Sequence, residues 1–189
     1  IWGHSNVFGT DNFIDRLLSG KYYNTDYNKF YDWIKTYDND VIGVFNHPDW
    51  PNTPYGNFAP YDEAADRGFS MIEVGNGSGK YTYSNTESKF YRALDMGWHL
   101  APVYGEDNHD RTWGQTMKRT VVVAKDLTRE SLYSSMKNMR VYMSEDPNFQ
   151  LDLFVNGAYM GSTVSGSTIK FKITGQDPVQ ENNKIPEYS

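Results

Sequence analysis

Hydrophobic and polar positions follow two rhythms along the chain, and the change between them falls near residue 147. Upstream, short apolar runs alternate with stretches of helical periodicity. "IWGHSNVFG" reads as a strand already under way. "TDNFIDRLLSG" has the pattern of a short helix closed by Gly20. Tyr27, Phe30, Tyr31 and Ile34 recur at helical spacing behind Asp26, a candidate N-cap, which predicts a helix over about 26–37. The run "VIGVFNHP" has no polar alternation, as expected of a strand covered on both faces, and Pro48 stops it. The unit then returns: "DEAADRG" as a helical turn, "FSMIEV" as a strand, "SNTESKFYRALDMG" as a helix with Thr86 as cap and Gly97 as stop, and "LAPVYG" as a strand. "RTVVVAK" and a helix from Thr128, with Leu132, Met136 and Met139 on one face, extend the series.

Such alternation predicts an α/β fold with a parallel sheet or barrel, whose active groups gather in loops beyond the carboxyl ends of the strands. His47, Glu73 and the stretch Asp107 to His109 fall at those ends. Periodicity alone does not separate a barrel from an open sheet.

From Pro147 the pattern becomes period two. Phe149, Leu151, Leu153 and Val155 alternate with Gln150, Asp152 and Phe154, and Ile169, Phe171 and Ile173 alternate with lysines. "VNGAYMGSTVSGS" supplies turns between them. The expected organisation is therefore an α/β portion over 1–146 and the beginning of an antiparallel β domain over 147–189.

Composition narrows the partners. The chain has 189 residues, a formal charge of -6 and a pI near 5.2, and no Lys/Arg run, which argues against general affinity for nucleic acid phosphates. An anionic substrate would need local positive charge, such as a metal. With no cysteine, disulfide and thiolate chemistry are excluded, while the wealth of Tyr, Phe, Trp, Asn and Gly suggests a secreted or cell-surface protein that handles glycans. No apolar run approaches the roughly 18 residues of a membrane helix.

Three of the four histidines lie in "GHSN", "NHP" and "DNH". Imidazole nitrogen with carboxylate oxygen suits Zn, Mn or Fe, and the Asp107-x-His109 spacing lets one loop offer both to neighbouring ions. Such ions would act as Lewis acids and generate hydroxide near neutral pH, the requirement for ester hydrolysis.

At these residues the sequence resembles the PHP (polymerase and histidinol phosphatase) superfamily, and more closely its secreted or periplasmic metallohydrolase branch. "GHSNVFG" resembles that branch's "GH-x-N" strand, "FNHPDW" its "HP" motif, "MIEVGNG" its "IE-x-x-N-G" strand and "GEDNHDR" its closing "G-S-D-x-H-D" motif, in the same order. "DLTRESLYSSMKNMRVYMSED" and "LFVNGAYMGSTV" resemble the stretches that follow, so the likeness spans almost the whole chain.

The resemblance implies the C-terminal part of a (β/α)7-type PHP barrel followed by the start of an antiparallel β domain. It implies a metal-dependent phosphoesterase in which metal-bound hydroxide attacks a small-molecule or glycan-linked phosphate ester. His4, His47, Asp107 and His109 would be ligands in a cluster of two or three ions, Asp107 and His109 would take part in catalysis, and Arg111 would hold a substrate oxyanion. The family's opening H-x-H motif, its next histidine and its bridging glutamate have no counterpart here, and Glu106 stands where Ser is usual. The expectation is that an upstream portion completes both barrel and site, and that residues 1–189 alone are catalytically silent.

Other readings exist for each residue. A lone "HP" is ordinarily a loop histidine, His4 could be a hydrogen-bonded core residue, and Glu73 a salt-bridged carboxylate. His99 precedes its strand, at the end opposite His109, and is expected to be structural. Trp50, Tyr55, Trp98 and Trp113 are either packing or a sugar platform. At the level of the whole chain the alternatives are a noncatalytic glycan-binding module on a degenerate PHP-like scaffold and a carbohydrate-active enzyme, for which Glu73 with Asp107 is the candidate carboxylate pair.

Overall fold

The computed structural model describes residues 3–14, 27–38, 40–50, 54–77 and 86–178. The expected helix ending at Gly20 lies largely outside these residues, and the Asp26 cap lies wholly outside them.

The chain is a mixed α/β fold. Four strands, β1 (His4–Phe8), β2 (Ile42–Asn46), β3 (Phe69–Asn76) and β4 (Ala101–Gly105), form one sheet in the order β1-β2-β3-β4. β2, β3 and β4 are parallel, and their connections carry α1 (Tyr27–Lys35) ahead of β2, α2 (Glu63–Asp66) between β2 and β3, and α3 (Thr86–Asp95) between β3 and β4. β1 corrects the expectation of an all-parallel sheet, because it runs antiparallel to β2 with His4 opposite Asn46 and Phe8 opposite Ile42. Its side chains alternate between exposed and half-buried, as befits an edge, whereas the first four residues of β2 are all buried.

Aromatic and aliphatic residues cover one face of the sheet. Tyr31, Trp33 and Ile34 of α1 pack with Phe45, Phe69, Ile72, Ala93 and Trp98. Phe45 and Phe69 stack on adjacent strands at 4.2 Å with an interplanar angle of 3°. That stack leaves no room for a side chain at Gly43, where a Cβ would stand 2.6 Å from the Phe69 ring. On the other face Ile42, Val44, Met71, Ala101 and Val103 meet Val141, Tyr133 and Met136. Each large apolar side chain so buried contributes about 1.5–3 kcal/mol before the entropy of ordering it is counted.

The sheet does not close into a barrel among the described residues. β5 (Arg119–Val122), expected to continue the parallel series, pairs antiparallel with β6 (Val141–Ser144) in a separate two-stranded sheet. A side chain accounts for the break. The Thr120 hydroxyl accepts from Tyr104 N at 2.9 Å and donates to Tyr104 O at 2.8 Å, occupying backbone groups that a ladder between β4 and β5 would use. Between β5 and β6 lies α4 (Arg129–Lys137), capped by the Thr128 side chain, which accepts from Ser131 N. Thr86, expected as a cap, is instead the first residue of α3, and its hydroxyl is buried with no hydrogen-bond partner among the described residues.

β7 (Gln150–Val155), β8 (Ala158–Tyr159) and β9 (Phe171–Gln176) form an antiparallel sheet in the order β8-β7-β9. Its register sets Leu153 opposite Ile173 and Val155 opposite Phe171, which gathers the apolar side chains on one face, and β9 is exposed along its length. The Tyr142 hydroxyl ties this sheet to β6, donating to Phe149 O at 3.0 Å and accepting from Leu151 N at 3.0 Å. No helix among the described residues is long and apolar enough to cross a membrane.

Candidate functional site

The antiparallel course of β1 brings its first residue to the carboxyl end of β2. There His4 Nδ1 and His47 Nε2 lie 3.0 Å apart, with ring centroids at 4.8 Å and planes at 80°. Had β1 run parallel, His4 would stand at the opposite rim.

The protonation of His47 follows from its second nitrogen. His47 Nδ1 is 3.0 Å from Trp50 O, and a carbonyl only accepts, so the neutral ring carries its proton on Nδ1 and turns the Nε2 lone pair toward His4. Histidines that ligate metals commonly donate their other N–H to a backbone carbonyl in this way.

The backbone of His47 is held from behind. Its N–H donates to Glu73 Oε2 at 2.6 Å, and the same oxygen accepts from Asn76 Nδ2 at 2.7 Å. His47 is 8% exposed and Glu73 3%. Burial pushes the Glu73 carboxyl above the usual carboxylate range; the hydrogen bonds from Asn76 and His47 oppose the rise, and the charge of Asp107 adds to it. His47 itself has φ of +28°, in the sparsely populated left-handed region.

His4 is held through its carbonyl. Tyr55 O–H bonds to His4 O and lies 3.1 Å from both Asn46 N and Asn46 O, joining the ends of β1 and β2. Tyr55 belongs to a left-handed turn, Pro54–Phe58, in which Tyr55, Gly56 and Asn57 all have φ between 55° and 60°. Complete burial pushes its phenol well above the ordinary range, and the charge of Glu73 adds to that.

Asp107, His109 and Arg111 stand on the loop after β4, and their exposed side chains are not part of the His4–His47 contact. His109 Nδ1 donates to Asp107 O at 2.8 Å and lies 3.7 Å from Asp107 Oδ1, on a ring 82% exposed. Its lone pair is therefore on Nε2. Asn108 organises the loop by accepting from Asp110 N at 2.9 Å and Thr112 N at 3.3 Å, while Glu106 Oε2 accepts from Gly114 N at 2.9 Å. Among the described residues, no three His, Asp or Glu side chains are grouped as a metal-binding set. Two imidazoles are thus brought together, with a buried carboxylate behind them and a second carboxylate within electrostatic range of the first.

His99 lies just before β4, and Asp66 binds both its backbone and its ring. Tyr55 and Trp98 are core residues, while Trp50 is 54% exposed beside the two imidazoles, its ring centroid 6.2 Å from His4 and 5.6 Å from His47. The parts that sequence reasoning missed are supporting ones: the Tyr55 hydroxyl, the Trp50 carbonyl, Asn76 and Gly105. Asn76 and Gly105 carried a signal, through their places in "IEVGNG" and "GEDNHDR".

Comparison with family models, curated proteins and solved structures found no match to the chain.

Proposed function

We propose that His4 and His47 are two ligands of a divalent metal ion, Zn, Mn or Fe, in a PHP-type hydrolase acting on a phosphate ester. One observation carries this reading: two imidazole nitrogens, from residues 43 positions apart, face each other at 3.0 Å at the carboxyl end of a parallel strand. A cation about 2.0–2.1 Å from each would need an N···N separation of about 2.9–3.4 Å for angles between about 90° and 109°. The pair fits a cation as a bite of two nitrogens, with the Nδ1–H to carbonyl bond on His47 already in place. Further ligands are required. Asp107, and His109 through Nε2, are the candidates, reaching the rim by movement of their exposed loop.

A cation held there would supply Lewis acidity toward a phosphoryl oxygen. The chain's own residues would orient it through His4 and His47, keep His47 in one tautomer through Trp50 O, and offer Arg111 as an oxyanion partner. The four-stranded sheet and its helices would form part of a (β/α)7-type barrel. Supporting this are three parallel strands with helices between them and the imidazole pair at their carboxyl ends.

Calorimetric titration of the chain with Zn2+ and Mn2+, with His4→Ala and His47→Ala as controls, tests the ligand assignment. Saturable binding lost in both variants supports it, and binding unchanged in both removes it. Metal-dependent turnover of p-nitrophenyl phosphate or its diester tests the reaction class.

The exposed Trp50 ring favours one other reading, glycan binding at the same rim, since an indole face stacks on sugar rings. Loss of oligosaccharide binding in Trp50→Ala without any metal dependence would support it.

A further inference from the structure

We propose that Glu73 is a positioning residue: its carboxylate holds the His47 backbone in a left-handed conformation and thereby sets the His47 imidazole against His4, and Gly105 must lack a side chain to admit that carboxylate. The proposal rests on the reading of His4 and His47 as a ligand pair for its functional consequence, but its geometric content stands apart from it.

The contact is built by register. β2 and β3 are parallel, with Phe45 beside Ile72, so Asn46 comes level with Glu73 and His47, the first residue past β2, follows directly beyond it. The His47 N–H then meets Glu73 Oε2 at 2.6 Å. A residue leaving a strand ordinarily stays at negative φ. At +28° His47 departs from that, and a short hydrogen bond to a fixed acceptor is a sufficient reason for it to do so. With that N–H fixed and φ at +28°, the Cα–Cβ direction follows, and from it Nδ1 reaches Trp50 O and Nε2 reaches His4 Nδ1.

The acceptor itself is fixed. Asn76 Nδ2 binds the same oxygen, and Oε1 lies where a Cβ on Gly105 would overlap it. The β3–β4 register shifts between Glu73 and Gly75, a bulge of the kind that re-aims side chains beside functional sites. A buried carboxylate is costly, and an apolar side chain of the same volume would serve packing better, so what Glu73 contributes at this position is the bond it makes.

Three variants test this in the 189-residue chain: Glu73→Gln, Glu73→Leu and Gly105→Ala. For each, NMR measures the through-space contact between the two imidazole rings, and calorimetry measures Zn2+ affinity. Gln keeps an acceptor for the His47 N–H and is expected to preserve both. Leu removes the acceptor, and a methyl at Gly105 displaces it while leaving residue 73 intact. Both should lose the ring contact and lower Zn2+ affinity by about 10- to 100-fold, the usual effect of losing a group that orients a ligand. Ring contact and affinity retained in folded Glu73→Leu and Gly105→Ala would overturn the proposal. If Glu73→Leu does not fold, Gly105→Ala decides by the same readouts, because its backbone lies outside the left-handed region and tolerates alanine. If the parent chain binds no Zn2+, the metal reading fails, and the ring contact alone decides the role of Glu73.

Discussion

Asp66 grips His99 with both carboxylate oxygens: Oδ1 accepts from the His99 backbone N at 2.9 Å, and Oδ2 lies 2.7 Å from His99 Nδ1. Oδ2 also accepts from the Tyr61 hydroxyl at 2.9 Å, so one buried acid joins α2 to the segment entering β4. Asp66→Ala should destabilise the chain by about 1–3 kcal/mol, the loss of three hydrogen bonds to one buried carboxylate. His99→Gln should cost less, and neither should change metal affinity at His4 and His47. Urea denaturation together with Zn2+ titration checks both halves; a loss of affinity in His99→Gln would place that histidine in the site.

The Phe45–Phe69 stack is the packing link between β2 and β3. Phe45 is fully buried, and truncation leaves a cavity that the surrounding aromatic rings cannot fill, so Phe45→Ala should cost about 3–5 kcal/mol. The urea midpoint measures it. A loss below about 1 kcal/mol would mean that the core relaxes far more than its packing density suggests.

The strands and helices of the first half were legible because their patterns are strong: β2 is an apolar run stopped by a proline, and α1 repeats aromatics at helical spacing. The direction of β1 was not legible. A five-residue segment carries no sign of its polarity, and an edge strand pairs in whichever sense its connection allows. The break after β4 was equally hidden, since it depends on one threonine hydroxyl taking the place of a backbone ladder. His47 was readable as a strand-end histidine, but its partner Glu73 was left without a role. What joins them is a backbone N–H, which no residue type announces.

Asp62 supplies a pH-dependent increment. Its side chain accepts from Ala65 N as the cap of α2 and from Lys35 Nζ, each at 3.0 Å. Burial raises its pKa, but the Ala65 and Lys35 bonds outweigh that and hold the carboxyl below the ordinary value of 3.8. The unfolded chain thus takes up this proton first as pH falls. The contribution is fully present above the unfolded value and fades as pH drops through the lower folded one. Asp62→Asn keeps a capping oxygen and loses the charge, so its stability deficit should be largest near neutrality and shrink below pH 3.8. Thermal midpoints of both proteins across that range test the sign.

Tyr55→Phe removes only the oxygen that joins His4 O to Asn46. About 0.5–1.5 kcal/mol of stability should be lost, because half-buried backbone groups of His4 and Asn46 lose a hydrogen-bond partner while the ring still fills its space. Hydrogen exchange at Asn46 N should quicken more than at Phe45 N. Uniform acceleration along β2 would indicate general loosening instead.

Because β1 and β2 run in opposite directions, it is strand pairing that brings His4 to the rim where His47 stands, and the pairing could slide. A slip of one residue would carry His4 about 3.4 Å along the strand and turn its side chain to the other face of the sheet. An edge strand with a half-exposed face resists such a slip weakly. The Tyr55 hydroxyl, bonded across both strand ends at once, therefore acts as an indexing pin: it admits a single alignment of the ladder, and that alignment is the one in which two nitrogens 43 residues apart come within 3.0 Å.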